Sequence, residues 1–168
     1  MGTKQWTSIT EFREFYDRQV KRVYRLAMVL MGNISDAEDV TQTVFLKAWE
    51  KKPDFRDADH EIAWILTTTR NQCKDIHKSF YRRKRADLEN APEPQVTLET
   101  QMDSEIWEAL QSLAEKYRMV LYLYYYEGYT SVEIAGILKK PQSTIRNYLH
   151  EARAILKERL GDDFDEEQ

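Results

Sequence analysis

The segment from Tyr129 to Leu160 has the pattern of two short amphipathic helices joined by a tight turn, and it restricts the fold more than any other part of the chain. Thr130 and Glu133 have capping-box spacing, which predicts a helix start. Pro141 ends that helix, because proline has no amide hydrogen and restricts the residue before it. A second helix is predicted from about Gln142 or Ser143. The pair has the form of a helix-turn-helix.

The second helix of this pair has two faces. Ile145, Leu149, Ala152 and Leu156 recur at helical spacing and predict a buried stripe. The other face carries groups that suit DNA, since Arg can fork onto guanine, Asn can pair with adenine, and Lys neutralises phosphate. These residues are Arg146, Asn147, His150, Arg153 and Lys157. A solvated basic face on a bundle helix is the alternative. The separation between the small Ala135 and the apolar Ile145 favours DNA binding.

The length allows one or two small domains, and the composition predicts an all-α protein; the acidic, proline-containing stretch at 86–101 then divides it into two small helical domains. The 168 residues include 32% charged residues, 5 Gly and 4 Pro, which is typical of helical chains. We expect domains at 1–85 and 102–161, a flexible acidic linker at 86–101 and an acidic tail at 162–168. No apolar run approaches the roughly 20 residues of a membrane span, and no secretory leader is recognisable. We therefore expect a cytoplasmic protein without membrane insertion.

The net charge of -4 conceals a segregated pattern. Residues 70–85 contain seven Lys or Arg and one acid, whereas residues 86–108 contain seven acids and no Lys or Arg. This order suggests a DNA-facing surface followed by a segment that avoids or imitates DNA. The single Cys73 and the scattered histidines offer no disulfide or zinc ligand set. We expect Cys73 to be a helix-packing residue, and we expect no metal site, cofactor or catalytic residue.

The N-terminal part predicts two helices. The first opens at Ser8, with Glu11 as its capping-box partner, and ends at Gly32. The second opens at Ser35, three residues before Glu38, and buries Ala37, Val40, Val44 and Ala48. Its outer face carries acids, polar residues and one large apolar residue. This face is either ordinary surface or a docking face. These outer residues are Asp36, Asp39, Gln42, Thr43 and Phe45 or Leu46.

A polar connection then leads to a third helix, from about Glu61 to Arg70, with Ile62, Ile65, Leu66 and Trp64 towards the core. The β-branched residues Thr67 to Thr69 predict a bend before Asn71. A fourth helix runs from Gln72 to about Lys84. Its end places Phe80 and Tyr81 beside cations, a combination that suits single-stranded DNA. The alternative is a core Phe before a basic helix end, and for Phe80 alone we prefer that interpretation.

Two further helices are predicted, from Met102 to Leu113 and from Glu115 to Tyr126, with Gly128 as the C-cap. Their apolar spacing predicts one buried face. That face comprises Leu110, Leu113, Tyr117, Val120, Leu121 and Tyr124. The aromatic run from Tyr122 to Tyr126 is expected to pack against the helix-turn-helix.

Three stretches resemble a known family. They are DAEDVTQTVFLKAW at 36–49, AWILTTTRNQCKDIHKSFYRRKR at 63–85 and YEGYTSVEIAGILKKPQSTIRNYLHEAR at 126–153. In this order they are similar to the sigma-seventy family of bacterial RNA polymerase sigma factors. The short two-domain form resembles the extracytoplasmic function subgroup.

The resemblance implies a function and partners. The chain would bind core RNA polymerase, at the clamp coiled coil and the flap, and would direct it to promoter DNA in duplex and melted form. It would respond to stress or envelope signals and be held in check by an anti-sigma factor, often tethered to the membrane. The chain would be cytoplasmic and nucleoid-associated, or sequestered at the membrane by that factor.

The resemblance also assigns residues to three surfaces. Asp39, Gln42, Thr43 and Phe45 would bind polymerase. The minus-ten element would contact Trp64, Arg70, Asn71, Lys74, Lys78, Arg82 and Arg83, with Asn71 and its neighbours holding a flipped base. The minus-thirty-five element would contact Ser143, Thr144, Arg146, Asn147, His150, Arg153 and Lys157.

Several positions depart from the family pattern. Thr43 stands where Glu is usual, and Lys139 occupies a turn position that often has Gly. Glu151 falls where a basic residue is frequent, so it should either read a cytosine amine or point away from DNA.

Two other functions stay open on the sequence. A ligand-sensing dimeric helix-turn-helix regulator would explain the C-terminal motif, but it would leave the basic block and the acidic linker unexplained. A metal enzyme is a more remote alternative, resting on His60 among Asp57, Asp59 and Glu61.

Overall fold

The computed structural model describes residues 6–86 and 104–161, without the side chains of residues 85 and 86. The chain divides into two compact units, Met1–Thr97 and Leu98–Gln168, here called the N-terminal unit and the C-terminal unit. Within the described residues all regular structure is helical, which confirms the all-α prediction. The predicted linker beyond Ala86 and the tail at 162–168 lie outside the described residues, as does Met102. The predicted domain limits stay predictions.

The N-terminal unit has three helices: α1 at Ile9–Met31, α2 at Ile34–Lys51 and α3 at Ala58–Ala86. The C-terminal unit has α4 at Ser104–Gln111, α5 at Glu115–Leu121, a π-helix at Tyr122–Tyr126, α6 at Ser131–Leu138 and α7 at Gln142–Leu160. The first helix of the helix-turn-helix is therefore α6 and the second is α7, as the sequence predicts.

The helix starts follow local hydrogen bonds. Ser8 caps α1 by accepting from the Glu11 amide at 3.3 Å, while the Glu11 carboxylate accepts from the Thr7 amide rather than from Ser8. The predicted start of α2 at Ser35 is wrong. Asn33 is the cap, because its side chain accepts from the Asp36 amide at 2.8 Å and donates to the Asp36 carboxylate at 2.8 Å.

The predicted break between a third and a fourth helix is also wrong, because α3 is continuous over 29 residues. The Thr69 hydroxyl donates to the Ile65 carbonyl one turn earlier at 2.7 Å, so its polar group is satisfied inside the helix. Thr69 and Cys73 are fully buried, in line with Ile65 and Leu66. Tertiary packing of this stripe outweighs the weak helix propensity of threonine. Cys73 is a packing residue, as expected.

The core of the N-terminal unit contains an aromatic cluster in which two rings, those of Trp6 and Phe55, were not predicted from the sequence. Trp6, just before α1, stacks on Phe15 with ring centroids 4.6 Å apart. Phe55, in the connection assigned as polar, stacks on Phe15 at 6.0 Å and is 4% exposed. A large aromatic residue among charged residues in a connection was the sequence signal that could have predicted this burial. The segments before α1 and after α2 thus contribute buried rings to the core of the unit.

The core of the C-terminal unit holds α6 and α7 against the preceding helices. Its buried residues include Trp107, Leu113, Val120, Leu121, Leu123, Ile134, Leu138 and the whole predicted stripe of α7. The predicted face of α5 is only partly correct. Leu110 and Tyr117 are half-buried, and Tyr124 is 37% exposed. Of these three residues only Tyr124 lies in the π-helix, which no sequence pattern indicated and whose wider turn breaks the regular helical spacing.

The turn between α6 and α7 is tight because Lys139 adopts a left-handed conformation with φ of 53°. Its amide donates to the Ala135 carbonyl, and the Lys140 amide donates to the same carbonyl at 3.1 Å. A left-handed conformation costs an ordinary L-residue about 1–2 kcal/mol, whereas Gly adopts it freely.

We expect Lys139→Gly to raise the free energy of unfolding by about 1 kcal/mol, because it removes this backbone strain. Urea denaturation of Lys139→Gly, of the control variant Lys140→Gly and of the parent measures this difference in the free energy of unfolding. Lys140→Gly is the matched control, since among the described non-Gly residues positive φ occurs only at Lys52 and Lys139. Equal or lower stability of Lys139→Gly would contradict the explanation.

Candidate nucleic-acid interface

α7 presents a polar row opposite its buried stripe. Its residues 145, 149, 152 and 156 are buried, and the side chains of Arg146, Asn147, His150 and Lys157 are exposed. Ser143 is exposed and Thr144 is half-buried near the start of the helix. The row therefore has the guanidinium, amide and ammonium groups that recognise base edges and phosphates. Its predicted contacts with DNA stay predictions.

Aromatic rings hold Arg153 on α7. Its guanidinium lies 5.3 Å from the ring centroid of Tyr124 and 5.5 Å from that of Tyr125. Its Nε donates to the Tyr125 hydroxyl at 2.7 Å. These contacts fix a half-buried guanidinium. Tyr124 and Tyr125 of the π-helix thus contact the second helix of the helix-turn-helix.

Glu151 is the acid on α7 that departs from the family pattern. Its carboxylate accepts a hydrogen bond of 2.5 Å from the hydroxyl of Tyr117 on α5. This bond, together with burial and the charge of Glu151, raises the pKa of Tyr117 above its ordinary value. The Tyr117 ring meets Tyr148 edge-on at 5.8 Å, and Lys116 lies over both rings. Glu151 is therefore bound to its own unit.

α3 carries the second cationic surface. Asn71, Lys78 and Arg82 are exposed, while Arg70 and Lys74 are half-buried. Residues 70, 74, 78 and 82 follow the four-residue spacing that places side chains on one face of a helix.

The other predicted minus-ten residues are more dispersed. Arg83 is exposed but one position out of this register, and its guanidinium reaches Ser79 at 3.5 Å. Trp64 is half-buried against Phe55, with ring centroids 5.8 Å apart. The structure thus brings four cations into one row and leaves Trp64 near the start of the helix.

The end of α3 corrects one expectation. Phe80, for which a core position was preferred, is 49% exposed, and Tyr81 is 70% exposed. The helix extends past the packed part of the unit at this point, so a ring here has no core to enter. A shallow depression of about 230 Å³ on the same helix is lined by Asp75, Lys78, Ser79 and Arg82. Exposed rings beside cations fit the single-stranded interpretation.

The outer face of α2 also requires a correction. Asp39 and Gln42 are exposed and Thr43 is half-buried, as expected. Phe45, expected on this face, is 5% exposed because its ring packs on Phe15 at 5.8 Å and on Tyr16 at 4.6 Å.

Leu46 takes the outward position instead. It is 61% exposed. It extends the row of residues 39, 42 and 43 at helical spacing.

The cluster around His60 has a helical explanation. Asp57 accepts from the His60 amide at 2.8 Å at the start of α3, and His60 Nδ1 accepts from the Arg56 amide at 3.1 Å. Over residues 6–86 and 104–161, no group of three or more His, Cys, Asp or Glu side chains is placed to hold a metal ion. In the same ranges, no helix has the length and apolar character to cross a membrane.

The fold and these surfaces define a protein of two helical units, one built on a helix-turn-helix and the other on a long cationic helix. Two known families match two separate parts of this chain. The sigma-70 region 2 family matches residues 15–86, and the sigma-70 region 4 family matches residues 103–156.

Individual relatives lead to the same family. The chain is 30% identical over 152 residues to the ECF RNA polymerase sigma factor SigL of Mycobacterium tuberculosis, covering 86% of each chain. It is 27% identical over 154 residues to the probable RNA polymerase sigma factor RfaY of Xanthomonas campestris pv. campestris, covering 85% of this chain but only 38% of that protein. The chain belongs to the extracytoplasmic function sigma factors of the sigma-70 family.

A solved structure shows the same fold. It is the sigma factor RpoE of Bartonella quintana in complex with the anti-sigma factor NepR, with a TM-score of 0.70 and 23% identity over 92% of this chain and 99% of that one. The comparisons support the sigma-factor interpretation and not the dimeric ligand-sensing regulator.

Proposed function

We propose that this chain directs core RNA polymerase to specific promoters and initiates transcription there. The observation that carries the proposal is the exposed row of α7, which presents Arg146, Asn147 and His150 on a folded helix-turn-helix. Such a row fits the major groove of a duplex, where each base pair has its own pattern of donors and acceptors. The C-terminal unit would therefore read the minus-thirty-five element.

The N-terminal unit would bind the minus-ten element after strand separation. Asn71 and the cationic row of α3 supply polar and positive groups, and Phe80 and Tyr81 supply exposed rings. Single strands are bound by this combination of phosphate neutralisation and base stacking.

The outer face of α2 would dock on the clamp coiled coil of the polymerase. Asp39 and Gln42 share this helix face with the exposed Leu46, so an apolar side chain lies beside polar groups. Interfaces have this arrangement of an apolar core with a polar rim. The C-terminal unit would bind the flap of the polymerase, as the family resemblance implies.

An anti-sigma factor would control the chain. The structural neighbour from Bartonella quintana is bound to the anti-sigma factor NepR. A partner that covers the α2 face and the row of α7 would block polymerase and DNA together. We place the chain in the cytoplasm and at the nucleoid, or sequestered at the membrane by that partner, until a stress or envelope signal releases it. RNA synthesis itself would be catalysed by the polymerase and not by this chain.

Dependence on polymerase tests the proposal. A net charge of -4 gives the free chain little general attraction for DNA. Two modest recognitions become strong only when one complex holds both units. We therefore expect selection from a randomised duplex pool to enrich a two-block sequence with core polymerase present, and none with the chain alone. Tight, sequence-specific binding by the free chain would contradict the proposal.

A further inference from the structure

α7 carries an acid directly beside its DNA-reading row. Glu151 follows His150, and successive residues of an α-helix are turned by about 100°. Glu151 therefore lies on the flank of the exposed face, one residue from a group expected to reach DNA. A free carboxylate at this position could swing towards the phosphates, where like charges repel.

The structure holds this carboxylate on the side away from that row. Tyr148 and Glu151 are three residues apart on α7 and share one flank. Both contact the same residue of α5: the Tyr148 ring meets the Tyr117 ring at 5.8 Å, and Glu151 accepts from the Tyr117 hydroxyl. Lys116 adds a positive charge over the two rings, with its Nζ 4.9 Å from the Tyr148 ring centroid and 5.0 Å from that of Tyr117.

We propose that Tyr117 is a positioning residue for duplex recognition, which keeps the Glu151 carboxylate away from the phosphates that α7 approaches. The inference rests on the proposed function of α7. It gives a physical reason why an acid is tolerated where the family usually has a base. The hydroxyl is a donor at neutral pH, because the ordinary pKa of a tyrosine already lies well above neutrality and the pKa of Tyr117 is raised further.

The test compares Tyr117→Phe in two backgrounds. Each full-length variant is assembled with core polymerase, and its affinity is measured for a fluorescent duplex selected from a randomised pool by the unmodified holoenzyme. Low salt is used, because screening weakens interactions between exposed charges. We expect Tyr117→Phe alone to lower the affinity about threefold, the scale of one exposed charge interaction.

The second background is Glu151→Gln, which removes the charge and keeps the side-chain length. There, adding Tyr117→Phe should leave the affinity unchanged, because no carboxylate remains to be positioned. Tyr148→Phe is the matched control: it removes a neighbouring hydroxyl on the same flank, and it should bind like the parent. Thermal unfolding of all variants separates a loss of folded protein from a loss of affinity.

The outcomes separate this inference from the function on which it rests. A loss from Tyr117→Phe that persists undiminished with Gln at position 151 would show a structural effect and overturn the inference. No loss in either background would overturn it as well. A parent holoenzyme that selects no duplex would overturn the proposed function itself, and the inference with it.

Discussion

Replacing Leu46 with Asp is expected to weaken binding of the chain to core RNA polymerase by at least about tenfold, the effect of losing a central apolar contact. The side chain is 61% exposed and lies in the row formed by Asp39, Gln42 and Thr43 on α2. The substitution puts a charge at the centre of the proposed interface, where desolvating it is costly. Fluorescence anisotropy of labelled chain titrated with core polymerase measures the effect.

The structure supplies a matched control for this experiment. Ile9, 69% exposed at the start of α1, belongs to no proposed contact, so Ile9→Asp should bind like the parent. Phe45→Ala would be a poor docking variant, because removing a buried Phe costs about 3–5 kcal/mol of stability. If Leu46→Asp and Ile9→Asp bound polymerase equally well, the docking face would lie elsewhere.

The second large effect is expected at Arg146. Replacing Arg146 with Ala should cost about 1–3 kcal/mol at one promoter position and relax the preference there, because a forked contact to a base edge is lost. Lys157→Ala should instead weaken binding evenly across sequences and reduce the salt slope by about one, as expected for a phosphate contact. Both side chains are exposed, so neither change should disturb the fold.

A panel of duplexes with single substitutions in the selected minus-thirty-five block distinguishes these two roles. Each duplex is titrated with the holoenzyme carrying the parent chain or either variant, at two salt concentrations. Indistinguishable profiles for Arg146→Ala and Lys157→Ala would remove the assignment of one residue to bases and the other to phosphate.

Features fixed by local hydrogen bonds were predictable from the sequence. The caps at Ser8 and at Thr130 with Glu133 depend on groups three residues apart, and the end of α1 at Gly32 depends on one residue. The first helix of the helix-turn-helix, by contrast, ends at Leu138 with Lys139 as its left-handed cap, before the predicted stop at Pro141. The buried stripe of α7 was predictable for a related reason, since its period is repeated over about three turns. Asn33 was missed because Ser35 offered an equally good cap nearby.

Features decided by distant neighbours were not predictable. Whether Phe45 or Leu46 points inward depends on Phe15 and Tyr16 of α1, which the period of α2 alone does not reveal. The continuity of α3 depends on burial of Thr69 against the other helices.

The candidate sites divide in the same way. The cationic rows of α3 and α7 follow from helical spacing, so the sequence predicted most of their members. The contacts of Tyr117 with Glu151 and of Tyr125 with Arg153 join residues 34 and 28 positions apart. Such contacts arise from the packing of α5 and the π-helix on α7, and no local pattern signals them.

Reconstituted transcription tests the central claim most directly. Core polymerase, the purified chain and a DNA library with a randomised upstream region are combined, and the transcript start sites are mapped. We expect starts that require the chain and that depend on two separated sequence blocks, one weakened by Arg146→Ala and the other by substitution of Asn71. Starts that appear equally without the chain, or that depend on no upstream sequence, would contradict the account.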